Sequence, residues 1–235
     1  MSALVIDAEA VSEFLDKAEP LVGEDDIGRW NQVLALRART VPEVLRDDRR
    51  CLLAVPATAR LGEEARRIWD GCKDPLREDI LWHPHDAIAE LASMAAPPWL
   101  WDWATFWLGA VWPGDFVWWP RWMFLPQTQT GAVALVLADP ACLVVDTRQL
   151  YTQIEQAARF TEQVMESLHR IPKVEPPYRH LVALAMVYTV YLFTMTSWRL
   201  TEEFTHVLPP FPKVVTSLLG IRRWEDYGIA KGESN

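Results

Sequence analysis

Residues 97–126 read PPWLWDWATFWLGAVWPGDFVWWPRWMFLP, and eight of the chain's 13 tryptophans fall inside that stretch, from Trp99 to Trp122. Each indole can bury roughly 150–250 Å². So dense a cluster must build a core, line a pocket or face a partner. Trp99, Trp103 and Trp107 recur at i, i+4 and i+8, which predicts one face of a helix. Trp101, Thr105 and Leu108 lie on another face, and Leu100, Ala104 and Val111 widen the apolar surface. A helix apolar nearly all round is buried or bound to something. Trp112-Pro113-Gly114-Asp115 then predicts a turn.

Downstream of that turn the pattern changes. Phe116 to Leu125 reads as an extended segment broken at Pro120, which confines it to an edge or a bulge. Gly131 to Ala138 is a continuous apolar run of strand length, turned by Asp139-Pro140 and returning as Ala141 to Val145. These runs predict an antiparallel β-hairpin, or a three-stranded meander, near 116–146. Around it the sequence predicts helices: a mostly α (α+β), multi-helix domain over 1–235. A subdivision falls at Pro97-Pro98, between a helical region 1–96 and a region 97–235 with the tryptophans, the β element and the long C-terminal helices.

Upstream, Asp7 caps a helix carrying Val11, Phe14, Leu15 and Ala18, ended by Glu19-Pro20. A second helix is expected over Ile27–Arg39. Thr40-Val41-Pro42-Glu43 reads as the start of a third, continuing toward Leu53. Another covers Ala57 to Trp69 and stops at Gly71, followed by short helices at Pro75–Trp82 and Pro84–Met94. Downstream, a long helix spans Thr147 to about Arg170. A central one runs from Tyr178 to about Val207, and a short one carries Val214, Val215, Leu218 and Leu219. The tail after Tyr227 is expected to fray.

Charge is uneven. The chain carries a net -9, which argues against nucleic acid as a partner, since that binding rests on neutralising phosphates. Residues 1–28 hold eight acids against Lys17, whereas 29–67 hold nine arginines against five acids. The expectation is that the acidic head packs beside the basic helices. Cys51, Cys72 and Cys142 form no CxxC and no zinc spacing; they read as reduced thiols of a cytoplasmic protein. The start of the sequence lacks the basic and apolar regions of a secretory signal. Leu181 to Trp198 is an apolar run near the length of a membrane span. Its threonines and tyrosines favour a buried central helix, so a membrane is not expected as a partner.

No P-loop, G-x-G-x-x-G or G-x-S-x-G is present. Two Glu-x-x-His motifs, Glu166/His169 and Glu203/His206, match half of a di-iron carboxylate set. Both sit at the C-terminal ends of helices expected to be antiparallel, which separates them. His83-Pro84-His85-Asp86 reads as a helix start rather than a chelate. Glu24-Asp25-Asp26 reads as dipole partners of a helix. No metal and no cofactor are therefore expected.

Aromatic density without a catalytic motif predicts a non-catalytic binding or interaction protein. Its tryptophan-rich surface would contact a partner protein or a second copy, since Trp, Tyr and Arg are the enriched interface anchors. The residues of that surface are Trp99, Trp101, Asp102, Trp103, Trp107, Trp112, Asp115, Trp118, Trp119, Arg121 and Trp122. The alternative is an enzyme acting on a hydrophobic or aromatic small molecule in a tryptophan-lined cavity. Asp102, Asp115, Arg121 and either His83 or His85 would then supply the polar groups.

Overall fold

The computed structural model describes residues 4–47, 63–144, 146–171, 173–199, 209–222 and 224. The described elements are helices: α1 (Ala8–Ala18), α2 (Glu24–Leu45), α3 (Glu63–Trp82), α4 (Pro84–Ser93), α5 (Pro98–Val111), α6 (Ala132–Val136), α7 (Thr147–Ser167), α8 (Arg179–Arg199) and α9 (Phe211–Leu218). Short 3₁₀ turns at Glu19–Leu21, Pro140–Cys142 and Pro176–Tyr178 join them. The chain forms two compact units. One comprises Met1–Leu34 with Pro120–Asn235, the other Ala35–Trp119. The division thus cuts through the tryptophan stretch at Trp119/Pro120.

The multi-helix domain stands, but the hairpin or meander at 116–146 does not. Among the described residues there is no sheet, and extended pairing is limited to two isolated antiparallel bridges, Ile6 to Leu137 and Leu125 to Thr130. Two local causes account for this. Along Phe116–Trp119, hydrogen bonds that a strand would need go to α5 instead: the Trp119 N–H donates to Thr105 Oγ1 at 3.0 Å. Gly109 of α5 lets that segment come close, since a Cβ there would lie 3.1 Å from the Trp118 nitrogen. The apolar run after Gly131 coils into α6. A continuous apolar run fits a buried strand or a buried helix equally by pattern, and alanine and leucine favour the helix. Asp139 does not turn a hairpin; its carboxylate accepts from the Ala141 N–H and caps the 3₁₀ turn.

The other helices form largely for the predicted reasons. Asp7 caps α1 by accepting from the Ala10 N–H at 2.9 Å. Pro84 opens α4 with Asp86 in its first turn. Asp146 caps α7 through the Gln149 N–H. Elsewhere the expected breaks fail. Helix α2 runs through Thr40 and Pro42 to Leu45, and α3 runs through Gly71 and Pro75 to Trp82. The continuation toward Leu53, the helix start at Ala57, Cys51, and the expected end of the central helix beyond Arg199 lie outside the described residues, as does the tail after Tyr227.

In the first unit α8 is the central element. It packs against α1, α6, α7 and α9, and Val182 through Val187 are buried. The segment Pro176–Thr196 is long and apolar enough to cross a membrane by length and composition, and 56% of an 18-residue window within it is buried in the protein. The acidic head is held by the segment between α7 and α8. Arg170 bridges Asp16 and Glu19, the latter at 2.9 Å, and Lys173 pairs with Glu24. Asn31 accepts from the Glu175 N–H and donates to the Lys173 carbonyl. Three acids of the head thus meet cations of the 170–175 segment.

Candidate functional site

Helix α5 is the spine of the second unit, and its indoles point inward. Trp101, Trp103 and Trp107 are buried, as are Trp118 and Trp119 after the turn. Trp69 of α3 completes the row, with ring centroids 5.9 Å from Trp103 and 5.6 Å from Trp107. Trp99, half-buried, meets Trp103 edge-on at 5.0 Å. Trp101 packs on Trp119 at 5.7 Å, and Trp118 sits edge-on to Phe106 at 5.3 Å. Offset and edge-to-face geometries at these spacings are the preferred ones for aromatic pairs.

The polar atoms of this cluster are largely spoken for. Asp102 accepts from the Trp118 indole N–H at 2.7 Å. Thr105 donates to the Trp101 carbonyl while accepting from the Trp119 N–H. Trp112, half-buried, donates to the Ile80 carbonyl at 2.9 Å. The Trp107 N–H is buried with no partner among the described residues. Asp115 is exposed. Arg121 and Trp122 belong to the other unit, where Arg121 is exposed and Trp122 lies half-buried with its ring 6.2 Å from Tyr188.

Ten of the eleven predicted residues are thus placed as core, rim or turn of their units, with Arg121 on the surface. Two guanidiniums join the core of the second unit. Arg37, 2% exposed, lies 5.0 Å from the Phe106 ring centroid. The Arg77 Nε–H donates to the Leu45 carbonyl at 2.5 Å. Arg37 shares the helical spacing of Trp30, Val33 and Leu34, and that spacing marked its inward face. No family model, no curated relative and no solved structure matches the chain.

Sequence reading missed Trp82. It closes α3 and is 61% exposed, the most exposed of the large apolar side chains described. The Arg46 guanidinium lies over it, 5.8 Å from the ring centroid, within cation–π range. His83 and His85 are exposed beside it; the His85 ring packs tilted against Phe116, with centroids 5.2 Å apart. The signal was available: Trp82 stands immediately before a proline-led helix start, outside the apolar stripe of α3.

Two clusters bring titratable groups together at partly buried positions. In the second unit, burial and the neighbouring Asp79 carboxylate, to which it is hydrogen-bonded, push the Glu90 carboxyl up. Burial, aided by Glu90, raises the Cys72 thiol. In the first unit His180 is buried at the start of α8, with Nδ1 3.3 Å from Arg159 and 3.6 Å from Glu162. Burial lowers its pKa against the pull of Glu162. Burial alone would raise Glu162, but His180, Arg159 and Arg179 together hold it below the ordinary carboxylate value.

Of the metal candidates, Glu166 pairs with Arg179 at 2.7 Å, and His169 is exposed past the end of α7. Glu203 and His206 lie outside the described residues. Among the described residues, no three His, Cys, Asp or Glu side chains are grouped to hold a metal ion.

Proposed function

We propose that the protein is a non-catalytic interaction protein whose tryptophan stretch stiffens the second unit, and whose partner contact is the Trp82–Arg46 surface. One observation carries this reading: the indoles of α5 are buried, while Trp82 stands 61% exposed under an arginine. Tryptophan and arginine are the side chains most enriched among residues that dominate interface energy. An exposed indole is costly in water and gains when a partner covers it. The core behind it supplies rigidity, because edge-packed aromatic rings have few alternative arrangements. The partner is a protein, and the free, buried Cys72 and Cys142 accord with a cytoplasmic setting. The enzyme reading has less support, since Asp102 is engaged with Trp118 and Arg121 belongs to the other unit.

The test places a photoreactive benzoylphenylalanine at position 82 of the full chain in cells. Irradiation should give one discrete cross-linked adduct, and Arg46→Ala should weaken it while the circular dichroism spectrum stays unchanged. A featureless smear, or no adduct at all, would overturn the reading.

A further inference from the structure

Helices α7 and α8 of the first unit meet at a buried imidazole. His180, in the first turn of α8, is 3% exposed. Its Nδ1 lies 3.3 Å from Arg159 Nη1 of α7. It lies 3.6 Å from Glu162 Oε2, one turn further along α7. Arg159 Nη1 and Glu162 Oε2 are themselves 3.6 Å apart. A guanidinium, a carboxylate and a ring nitrogen thus stand at the corners of one small triangle.

The chemistry of the corners decides how the triangle is wired. A guanidinium has donors only and stays charged. Facing Arg159, Nδ1 must therefore accept, which fixes neutral His180 as the tautomer with its proton on Nε2. Nδ1 has a single lone pair. It accepts from Arg159 or it carries a proton, and it cannot do both. An ionised carboxylate only accepts, so Glu162 gains from the same proton that Arg159 opposes. Arg159 also has a way out. Its side chain is 28% exposed, and its buried second amino nitrogen has no hydrogen-bond partner among the described residues to hold it.

We propose that this triangle is a proton-operated latch between α7 and α8. With His180 neutral, Arg159 is tied to Nδ1 across the helix pair. With His180 protonated, the Nδ1–H goes to Glu162 and Arg159 turns out toward solvent. Burial disfavours the charged ring, so the latch is closed at neutral pH and opens below 6.5. Among the described residues, Arg159 and Glu162 are the charged groups that act on His180. On α7, Glu155 stands one turn before Arg159, and Glu166 pairs with Arg179, which also acts on Glu162. Glu175 before α8, Lys213 of α9, and Glu9, Glu13, Asp16 and Lys17 of α1 are exposed, while α6 carries no titratable side chain. The latch lies wholly in the first unit and does not depend on the Trp82 surface.

Nitrogen-15 NMR of the full chain, titrated from about pH 8 to about pH 5 across the ordinary histidine range, tests this. At the alkaline end His180 should show a protonated Nε2 and an accepting Nδ1. Arg159 should show a guanidinium N–H protected from exchange with water. Both should change through one midpoint, Nδ1 gaining its proton as the Arg159 protection is lost. Arg159→Met keeps the stem but removes the competing donor and the repelling charge. It should raise the proton affinity of His180 at least about threefold. Glu162→Gln removes the charge that welcomes the proton and should lower that affinity by a similar factor. The wild-type titration carries the test should either variant fail to fold. An Nδ1 already protonated at the alkaline end overturns the latch, as does an Arg159 signal that does not follow the His180 titration. So does a His180 midpoint that folded Arg159→Met or Glu162→Gln leaves unmoved, or a ring that stays neutral until the chain unfolds.

Discussion

Asp102 is the one charged side chain between Trp99 and Trp112, and the Trp118 N–H donating to it at 2.7 Å explains its place. An indole packed away from water needs a partner for its single donor. Asp102→Ala leaves that donor unmade in a partly buried position, which costs about 1–3 kcal/mol. Asn at the same position keeps an acceptor and should cost less. The expected result in a urea titration is a lower midpoint at unchanged slope for Asp102→Ala. Asp115→Ala, at an exposed turn, should stay within about 0.5 kcal/mol of the parent. Equal midpoints for Asp102→Ala and Asp115→Ala would contradict the structural role of Asp102. The same logic applies to Thr105, whose one hydroxyl donates to Trp101 and accepts from Trp119. These polar residues were visible in the sequence as candidates for chemistry. Their use inside the core was not, because it depends on which side chain the chain brings back after the turn.

At the scale of elements, legibility followed the strength of local chemistry. Asp7, Glu19-Pro20 and Pro84 punctuate the chain where they were read to do so; α7 and α9 follow their apolar periodicity, and α8 follows its continuous apolar run. Gly71, Pro75, Thr40 and Pro42 were read as breaks and are helical. Gly71 has open space around it, so it costs only propensity. Pro42 lies three residues from the end of α2, and the helix carries the loss of the one ladder bond its missing N–H would have made. The run at 132–136 was ambiguous by pattern, and tertiary context decided it. Its entry point is Gly131, with φ +129°, where a Cβ would meet the Met123 carbonyl oxygen at 2.6 Å. Gly131→Ala should therefore destabilise the protein by about 1–3 kcal/mol through strain and backbone clash, read as a lower thermal midpoint; a midpoint at or above the parent's would refute that geometry. The α7–α8 pair carries a pH signature. The folded state holds His180 below its ordinary 6.5, so it binds fewer protons than the unfolded chain. The stability tied to neutral His180 is complete above pH 6.5 and is lost as pH falls from there through the lowered folded value. Glu162, also lowered, adds a loss at more acid pH, below its ordinary 4.5. Stability measured from pH 8 to pH 5 should fall, and His180→Gln should flatten the slope. An unchanged slope in that variant would mean that His180 is not the group responsible.

For the whole molecule, the stretch read first as a single surface is divided between two units and turned mostly inward. Composition correctly singled out 97–126, because that much indole area must be buried somewhere. It could not say whether the burial is internal or against a partner, since both satisfy the same hydrophobic demand. Charge distribution was opaque for a related reason. The acidic head could be matched by any cations, and three of its acids meet Arg170 and Lys173, far away in sequence. Fluorescence separates internal burial from surface display across all the tryptophans together. Trp30, Trp69, Trp101, Trp103, Trp107, Trp118, Trp119 and Trp224 are buried, whereas Trp82 stands out in solvent. Emission should thus be mostly blue-shifted and resistant to acrylamide, with a minor quenchable component. Trp82→Phe should remove most of that component while leaving the shielded emission unchanged. If the variant leaves the quenchable fraction intact, or if acrylamide reaches most of the indoles in the wild type, the tryptophan stretch is displayed rather than buried. The partner contact would then return from Trp82 to residues 99–122.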